Sequence, residues 1–590
     1  MAQLPRTRRL LGAVGGLLLV IIGLALATNS AASVSLIVLL LCSGLILTGL
    51  LRLPAAWQAS SRRAAHLSGP VVLILAGIAL LIWRSASLPM LALLVSLALF
   101  AGGLLRALPV VQGERKPSVR GVLTVVVGLF GSVLVIFWPR LSLWVLGVAF
   151  GAWLVLLGLH NIYETFAHRL PKIPRWLSRL GQKGLTLAIA GCLVLLLAAG
   201  AATAWLYSSN GQAVADQFYL PPSSVPDEPG RLIRSAVLEG ERPSDTQAWR
   251  ILYTTTLADN RPAIASAVVT VPLRNPDARH PVISWANGTK GLIPRCGLSQ
   301  SEAPYEDGPG VARNEILKSG WAVVATDYVG LGTKGPHPYL VGDSEAYAVL
   351  DATRAAGELP EVNLSQQTVL WGHSQGGHAA LFGAARAKRY APELEVLGTA
   401  GMAPATDLTR LATGIKDEAS GKIVTSYIAS AWEKIYPQLE ISAQQNSSVR
   451  SAVEHISQLC FSGKDVLTAL ATSSQLFDAV IGEEALAGPI GDLLRENSAP
   501  QVTSVPTFVS QGTADSLVLP SMQRAWRVDA CAAGSDLLYR EYDGLDHLGL
   551  VGENSPLNHD LVQWTKELLA GEQERGNCTR QLATGRSSGP

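Results

Sequence analysis

The chain has 590 residues, 48% of them hydrophobic and 16% charged, with a formal net charge of +2. It is too apolar for one soluble domain and too long for a single core. A charge this close to balance, with no basic face and no interleaving of aromatic and basic residues, gives no support to a nucleic-acid partner.

The apolar excess lies before residue 208, so a membrane half precedes a soluble half. Seven apolar stretches, near 10–27, 33–51, 69–83, 87–105, 121–138, 141–159 and 184–207, have the length of membrane-crossing helices or come close to it. The third is short and suits a tilted or thinned span. No small-x-small site ends the first, and more spans follow, which argues against a cleaved signal peptide. The first six stretches form three repeating hairpins. Gly49-Leu-Leu-Arg52, Gly103-Leu-Leu-Arg106 and Gly158-Leu-His-Asn161 close them at spacings of 54 and 55 residues. A fixed period of this kind predicts a stacked architecture of one hairpin per unit. Over about residues 8–165 the pattern resembles the small repeat of the acid-resistance HdeD-like membrane family.

Orientation follows from the short loops. Fifteen Lys and Arg, from Arg6 through Arg52, Arg106 and Arg169 to Lys183, lie on one side; only Arg84 and Arg140 lie on the other. Positive loops stay cytoplasmic, and an odd number of spans then puts everything after Tyr207 outside the cytoplasmic membrane. The spans themselves carry essentially no charge. That favours an anchor and packing platform over a transporter or lipid-handling channel.

Residues 208–229 are rich in Ser, Pro, Asp and Gly and read as a linker. Beyond it, Trp249–Thr255 and Ile264–Val271 alternate like antiparallel edge strands. Pro281–Trp285 and Trp321–Thr326 suit buried parallel strands, with a helix near Val311–Lys318 between them. Val369–Trp371, Thr507–Ser510 and Leu537–Tyr542 supply further strands. The alternation predicts an α/β domain over 230–570 with a doubly wound sheet.

At its centre the run Gln367-Thr-Val-Leu-Trp371 meets Gly372-His-Ser-Gln-Gly-Gly377, followed by an Ala-rich helical segment. Strand, glycine-flanked serine and helix make the nucleophile elbow of the α/β-hydrolase fold, with Ser374 as nucleophile. In this fold the acid and the histidine follow on loops after later strands. Asp515, after Thr507–Ser510, and His547, after Leu537–Tyr542, occupy those places. Asp543 and Asp546 read as turn residues, His559 as a surface residue and His378 as structural. The loop Trp285-Ala-Asn-Gly-Thr-Lys-Gly291 follows the central strand where this fold takes an oxyanion donor. Gly288 or Thr289 would supply one N–H and Gln375 the other.

Taken together, Trp285-x-Asn-Gly-Thr-x-Gly, Cys296, Asp327-Tyr-Val-Gly-Leu-Gly332, the elbow, Gln511-Gly-Thr-Ala-Asp515 and Asp546-His547 resemble the secretory lipase family of fungal lipase A type, over roughly residues 215–570. Members often carry His where this chain has Asn287, and they are ordinarily secreted in soluble form. The resemblance implies hydrolysis of lipid or other carboxylic esters through an acyl-serine intermediate, without a cofactor. Acyl transfer by the same triad is the alternative within enzymes, and a ligand-binding exported domain the alternative outside them. Residues of about 406–500 are helical and lack strand runs; their length exceeds a single crossover and predicts a cap over the site. Cys296, Cys460, Cys531 and Cys578 permit three pairings, of which the resemblance implies Cys296–Cys460 and Cys531–Cys578. They show no metal spacing. Residues 571–590 are polar and read as a disordered tail.

Overall fold

A computed structural model describes residues 6–28, 34–57 and 118–138, with scattered others between 70 and 208. From 216 to 572 it is continuous but for 240–241, 275–277, 302, 306–311 and 477, and it also covers 576–578. The chain divides into two compact units, Met1–Ser208 and Ser209–Pro590.

In the first unit, helices Arg6–Thr28, Val34–Trp57 and Val119–Phe137 fall on three of the seven expected stretches. Further helical residues occur within 70–78, 96–111, 151–159 and 190–206. Counted over the described residues alone, no helix is long and apolar enough to cross a membrane. Parts of the other expected spans, and residues 579–590 of the expected tail, lie outside the described residues. The hairpin-closing glycines have a clear physical role. A Cβ at Gly49 would lie 2.7 Å from the Pro70 carbonyl oxygen, and one at Gly103 3.3 Å from Leu129. At Gly158 it would strike the Gly16 carbonyl oxygen. Gly49 and Gly158 therefore mark places where two backbones approach too closely for a side chain, and Gly103 a tight contact with a neighbouring leucine.

The second unit is built on a nine-stranded sheet in the order β1-β2-β3-β5-β4-β6-β7-β8-β9. Its strands are β1 Leu232–Val237, β2 Thr246–Thr256, β3 Pro262–Pro272, β4 His280–Ala286 and β5 Ala322–Val329. They continue with β6 Leu364–His373, β7 Glu395–Met402, β8 Thr507–Gly512 and β9 Leu537–Tyr542. Strands β1 to β3 are antiparallel, β3 meets β5 antiparallel, and the remaining pairs are parallel. The expected pair β2 and β3 is present, but β2 is not the edge, because β1 covers it. Helix Arg313–Lys318 joins β4 to β5, as expected. Strand β6, apolar and buried from Thr368 onward, lies between β4 and β7.

Between β7 and β8 the chain leaves the sheet for a helical insertion, with helices Leu408–Gly414, Ala419–Ile435, Ser447–Ile456, Gly463–Ser474, Glu483–Leu486 and Pro489–Glu496. Among the described residues it contains no strand. It has its own apolar core, including Ile423, Tyr427, Trp432 and Leu494, which also takes in Tyr339–Val341 beside the sheet. Its two ends meet: Ala499 donates to the Thr406 carbonyl at 2.8 Å, and Leu408 to the Ser498 hydroxyl at 3.0 Å. The clip to the sheet is covalent. Cys296 and Cys460 are bonded with Cα atoms 5.3 Å apart, and Cys531–Cys578 forms the second disulfide.

Candidate catalytic site

Ser374 sits between the end of β6 at His373 and helix Gln375–Tyr390, with φ 57° and ψ −119°. A non-glycine residue held at positive φ stores strain, and surrounding contacts must fix it there. Those contacts are visible. A Cβ at Gly372 would lie 2.0 Å from the Gly376 carbonyl oxygen, and one at Gly376 1.9 Å from that of Ala286. Only glycine at both positions lets the helix fold back so tightly onto the strand. Ser374 N–H donates to Met402 O at 2.9 Å, which ties the turn to β7.

Asp515 follows β8 and is almost wholly buried. Its Oδ1 accepts the N–H groups of Leu517 and Val518, each at 2.9 Å. Its Oδ2 accepts from His547 Nδ1 at 2.8 Å and from Gln511 Nε2 at 3.1 Å. The loops carrying the two residues are stitched together. Thr513 N donates to Tyr542 O and Ala514 N to Leu545 O, both at 3.0 Å. A Cβ at Gly512 would lie 2.2 Å from the Leu545 carbonyl oxygen, so glycine admits the histidine loop over the end of β8. His547 in turn reaches the elbow. Its carbonyl accepts from His373 Nε2 at 3.0 Å, and the two rings lie 4.5 Å apart between centroids. Burial, then the charge of His547, pushes the His373 pKa well below the usual histidine value. The nucleophile candidate, the acid and the histidine thus converge at the C-terminal ends of β6, β8 and β9.

The rival carboxylates are engaged elsewhere. Asp543 accepts from the Thr513 hydroxyl of the acid loop at 2.9 Å, and Asp546 accepts from Gly549 N at 2.7 Å, the local turn bond expected of it. His559 is exposed beside Asp560.

Gly288 lies against the elbow: a Cβ there would be 3.3 Å from the His373 carbonyl oxygen and 3.9 Å from the Ser374 Cβ. The hydroxyl of Thr289 pairs with Tyr339 OH at 2.8 Å. Asn287 is buried and pinned. It accepts from Trp285 Nε1 at 2.7 Å, donates to Thr326 O at 2.6 Å, and its carbonyl accepts from Tyr328 OH. The same loop is joined to the cap, since Phe461 N donates to Lys290 O at 2.7 Å. Gln375 opens its helix, so its N–H has no intrahelical acceptor and points outward at the helix N-terminus. Its side chain and His378 enter a buried network around Glu345 that the sequence does not announce. Among the described residues no group of three or more His, Cys, Asp or Glu could hold a metal ion.

Residues 311–576 match the family described as secretory lipase, and residues 70–134 and 119–196 match a short repeat of unknown function. A probable inactive lipase of Mycobacterium tuberculosis is 26% identical over 379 residues, 60% of this chain and 82% of that protein. Lipase A of Moesziomyces aphidis is 23% identical over 403 residues, 63% of this chain and 84% of its own. The crystal structure of Candida antarctica lipase A in its closed state superposes with a TM-score of 0.51 at 19% identity, covering 61% of this chain and 86% of that one. The second unit therefore has the α/β-hydrolase fold.

Proposed function

We propose that this chain, which carries a lipase-like α/β-hydrolase domain of the secretory lipase family matched over residues 311–576, is a membrane-anchored serine ester hydrolase. The observation that carries the reading is the Asp515–His547 pair at 2.8 Å, with the His547 carbonyl bonded to the residue before Ser374. In this reading Ser374 Oγ attacks the ester carbonyl while His547 Nε2 takes its proton. Asp515 holds Nδ1–H and stabilises the imidazolium. The carbonyl oxygen, now negative, lies against the N–H of Gln375 and a second donor from Gly288 or Thr289. Collapse expels the alcohol, which takes the proton from His547, and water then cleaves the acyl-serine by the same steps in reverse order. The helical insertion is the cap, and lipid or other carboxylic esters are the substrates.

Anchoring in the cytoplasmic membrane, with the hydrolase outside, is supported by the apolar stretches and the fifteen-to-two distribution of basic residues. Large apolar side chains also stand exposed on helix Arg6–Thr28, among them Leu17, Ile21 and Leu24, an arrangement suited to lipid. One experiment tests both parts. Carbonate-washed membranes from cells expressing the full chain and its Ser374→Ala variant are treated with a fluorophosphonate probe and assayed on p-nitrophenyl esters. The expected result is probe labelling and turnover in the washed membranes of the first, and a folded but unlabelled second with turnover down by about three to six orders of magnitude. An unlabelled parent chain would make this an inactive, ligand-binding domain; the mycobacterial relative is named a probable inactive lipase. Release of the protein by carbonate would end the anchoring reading.

A further inference from the structure

Glu345 lies on helix Gly342–Gly357, behind the elbow, with no exposed surface. A buried carboxylate is tolerated only when its lone pairs are satisfied, and here each oxygen is engaged. Oε1 accepts from Leu340 N at 2.8 Å and from Gln375 Nε2 at 2.7 Å. Oε2 faces His378 Nδ1 at 2.9 Å. His378 is equally buried, and its Nε2 must carry a proton, because it faces the Asn497 carbonyl at 2.7 Å. A second proton must lie between Nδ1 and Oε2, since neither a bare imidazole nitrogen nor a bare carboxylate oxygen can donate. The pair is therefore held by a shared proton whichever atom carries it.

The consequence falls on Gln375. Its Nε2 donates to Glu345 and also to His337 Nε2 at 3.0 Å; the opposite nitrogen of His337 donates to Val329 O at 2.9 Å, which fixes the tautomer. Among the described residues nothing hydrogen-bonds the buried Oε1 of Gln375. Rotating the amide would set that oxygen against the Glu345 carboxylate, so one orientation of the side chain is imposed. A side chain locked in this way fixes its own backbone, and the backbone N–H of Gln375 is the donor assigned to the developing oxyanion. The network continues to the root of the cap: Asn497, whose carbonyl faces His378, also accepts from Gly342 N at 3.0 Å through Oδ1.

We propose that Glu345, with His378, is a positioning residue for the oxyanion donor: it aims the Gln375 N–H by clamping the Gln375 side chain. The proposal rests on the assignment of Ser374 and Gln375 above. Because an oxyanion-hole donor acts on the transition state and little on the bound ester, losing its aim lowers kcat and leaves KM nearly unchanged.

The test uses the full chain with Glu345→Leu, which is close in size but removes the acceptor Oε1 that holds Gln375, and with Gln375→Ala, which keeps the N–H but releases its clamp. Steady-state kinetics on a p-nitrophenyl ester and inhibition by an alkylboronic acid are measured for each variant and for the double variant. The expected result is a loss of about 10- to 100-fold in kcat, part of the 10²–10³ that follows removal of a donor outright. KM should stay within about twofold, boronate affinity should fall in parallel with kcat, and the double variant should be no worse than the worse single one. Unchanged kcat and boronate affinity in folded Glu345→Leu, or additive losses in the double variant, would overturn the proposal. Should Glu345→Leu not fold, Gln375→Ala alone decides: parental kcat and boronate affinity would overturn it. Residual turnover in Ser374→Ala marks failure of the underlying assignment; a dead Ser374→Ala beside a fully active Glu345→Leu marks failure of this inference alone.

Discussion

Replacing Asp515 by Asn exchanges one carboxylate oxygen for an amide nitrogen and hardly alters size or shape, yet the structure makes the change severe. The Oδ1 of Asp515 accepts two backbone N–H groups, from Leu517 and Val518, each at 2.9 Å. An asparagine must keep its oxygen there, because its amino group would meet two donors. Its Nδ2 is then forced to the Oδ2 position, facing His547 Nδ1 and Gln511 Nε2. An N–H donor at that place selects the His547 tautomer with the proton on Nε2, the atom that has to accept the proton of Ser374. The base is abolished with the geometry intact. The corresponding change in a Ser-His-Asp enzyme lowers kcat about 10⁴-fold, equivalent to roughly 5.5 kcal/mol of transition-state stabilisation. Steady-state hydrolysis of a short-chain p-nitrophenyl ester should show that fall in kcat, with KM within a few-fold and a melting temperature lowered by the Nδ2 donor facing Gln511 Nε2. A kcat within tenfold of the parent in a folded Asp515→Asn protein would refute the reasoning and turn attention to another carboxylate.

The two disulfides should differ in their effects. Cys296–Cys460 closes a loop of 164 residues and joins the Gly288–Gly291 loop to the cap, whereas Cys531–Cys578 closes 47 residues near β9. Each should contribute about 2–4 kcal/mol, so Cys460→Ser and Cys578→Ser should both lower the melting temperature, but only Cys460→Ser should lower kcat. Equal turnover in both variants would separate the clip from catalysis. Asp327 supplies a pH prediction. Burial raises its pKa to about 6 against the bonds from Ser266 and Ser299, so the folded state binds its proton more tightly than the unfolded one. The stability this gives is complete below about pH 4 and is lost as pH rises through 6. Asp327→Asn escapes that loss, so its stability relative to the parent should increase by about 1–3 kcal/mol between pH 4 and pH 8. Urea midpoints at the two pH values check this, and a pH-independent difference would contradict it.

The elbow, the acid loop and the histidine loop were legible because each is built from residues that chemistry restricts: glycines where a Cβ would meet a carbonyl, and an acid and a histidine directly after apolar runs. Strand β7 was not. Its sequence, Glu-Val-Leu-Gly-Thr-Ala-Gly-Met, has glycines at 398 and 401 because Leu568 and Trp564 crowd the first and Pro404 the second. Close packing thus erased the branched apolar pattern that marks a strand. Strand β1 is half-exposed with a mixed sequence, and no periodicity separates it from the linker. Glu345 was invisible for another reason. A glutamate in the first turn of a helix is ordinary, favoured by the helix dipole wherever it occurs, and only the tertiary structure shows that this one never meets water. His378 reads as structural on sequence, and its bonds to Glu345 and Asn497 show what it holds.

The meeting of the cap's two ends at Thr406 and Ala499 has a consequence for how such a chain can change over generations. An excursion that departs from and returns to one point places no geometric demand on the strands beside it. Helices can be added, lost or exchanged within it while β7 and β8 keep their pairing and Asp515 keeps its distance from Ser374. The proposed cap is in this sense free to vary along most of its length, and is held to a fixed geometry only where Cys460, Phe461 and Asn497 meet the unit that carries Ser374.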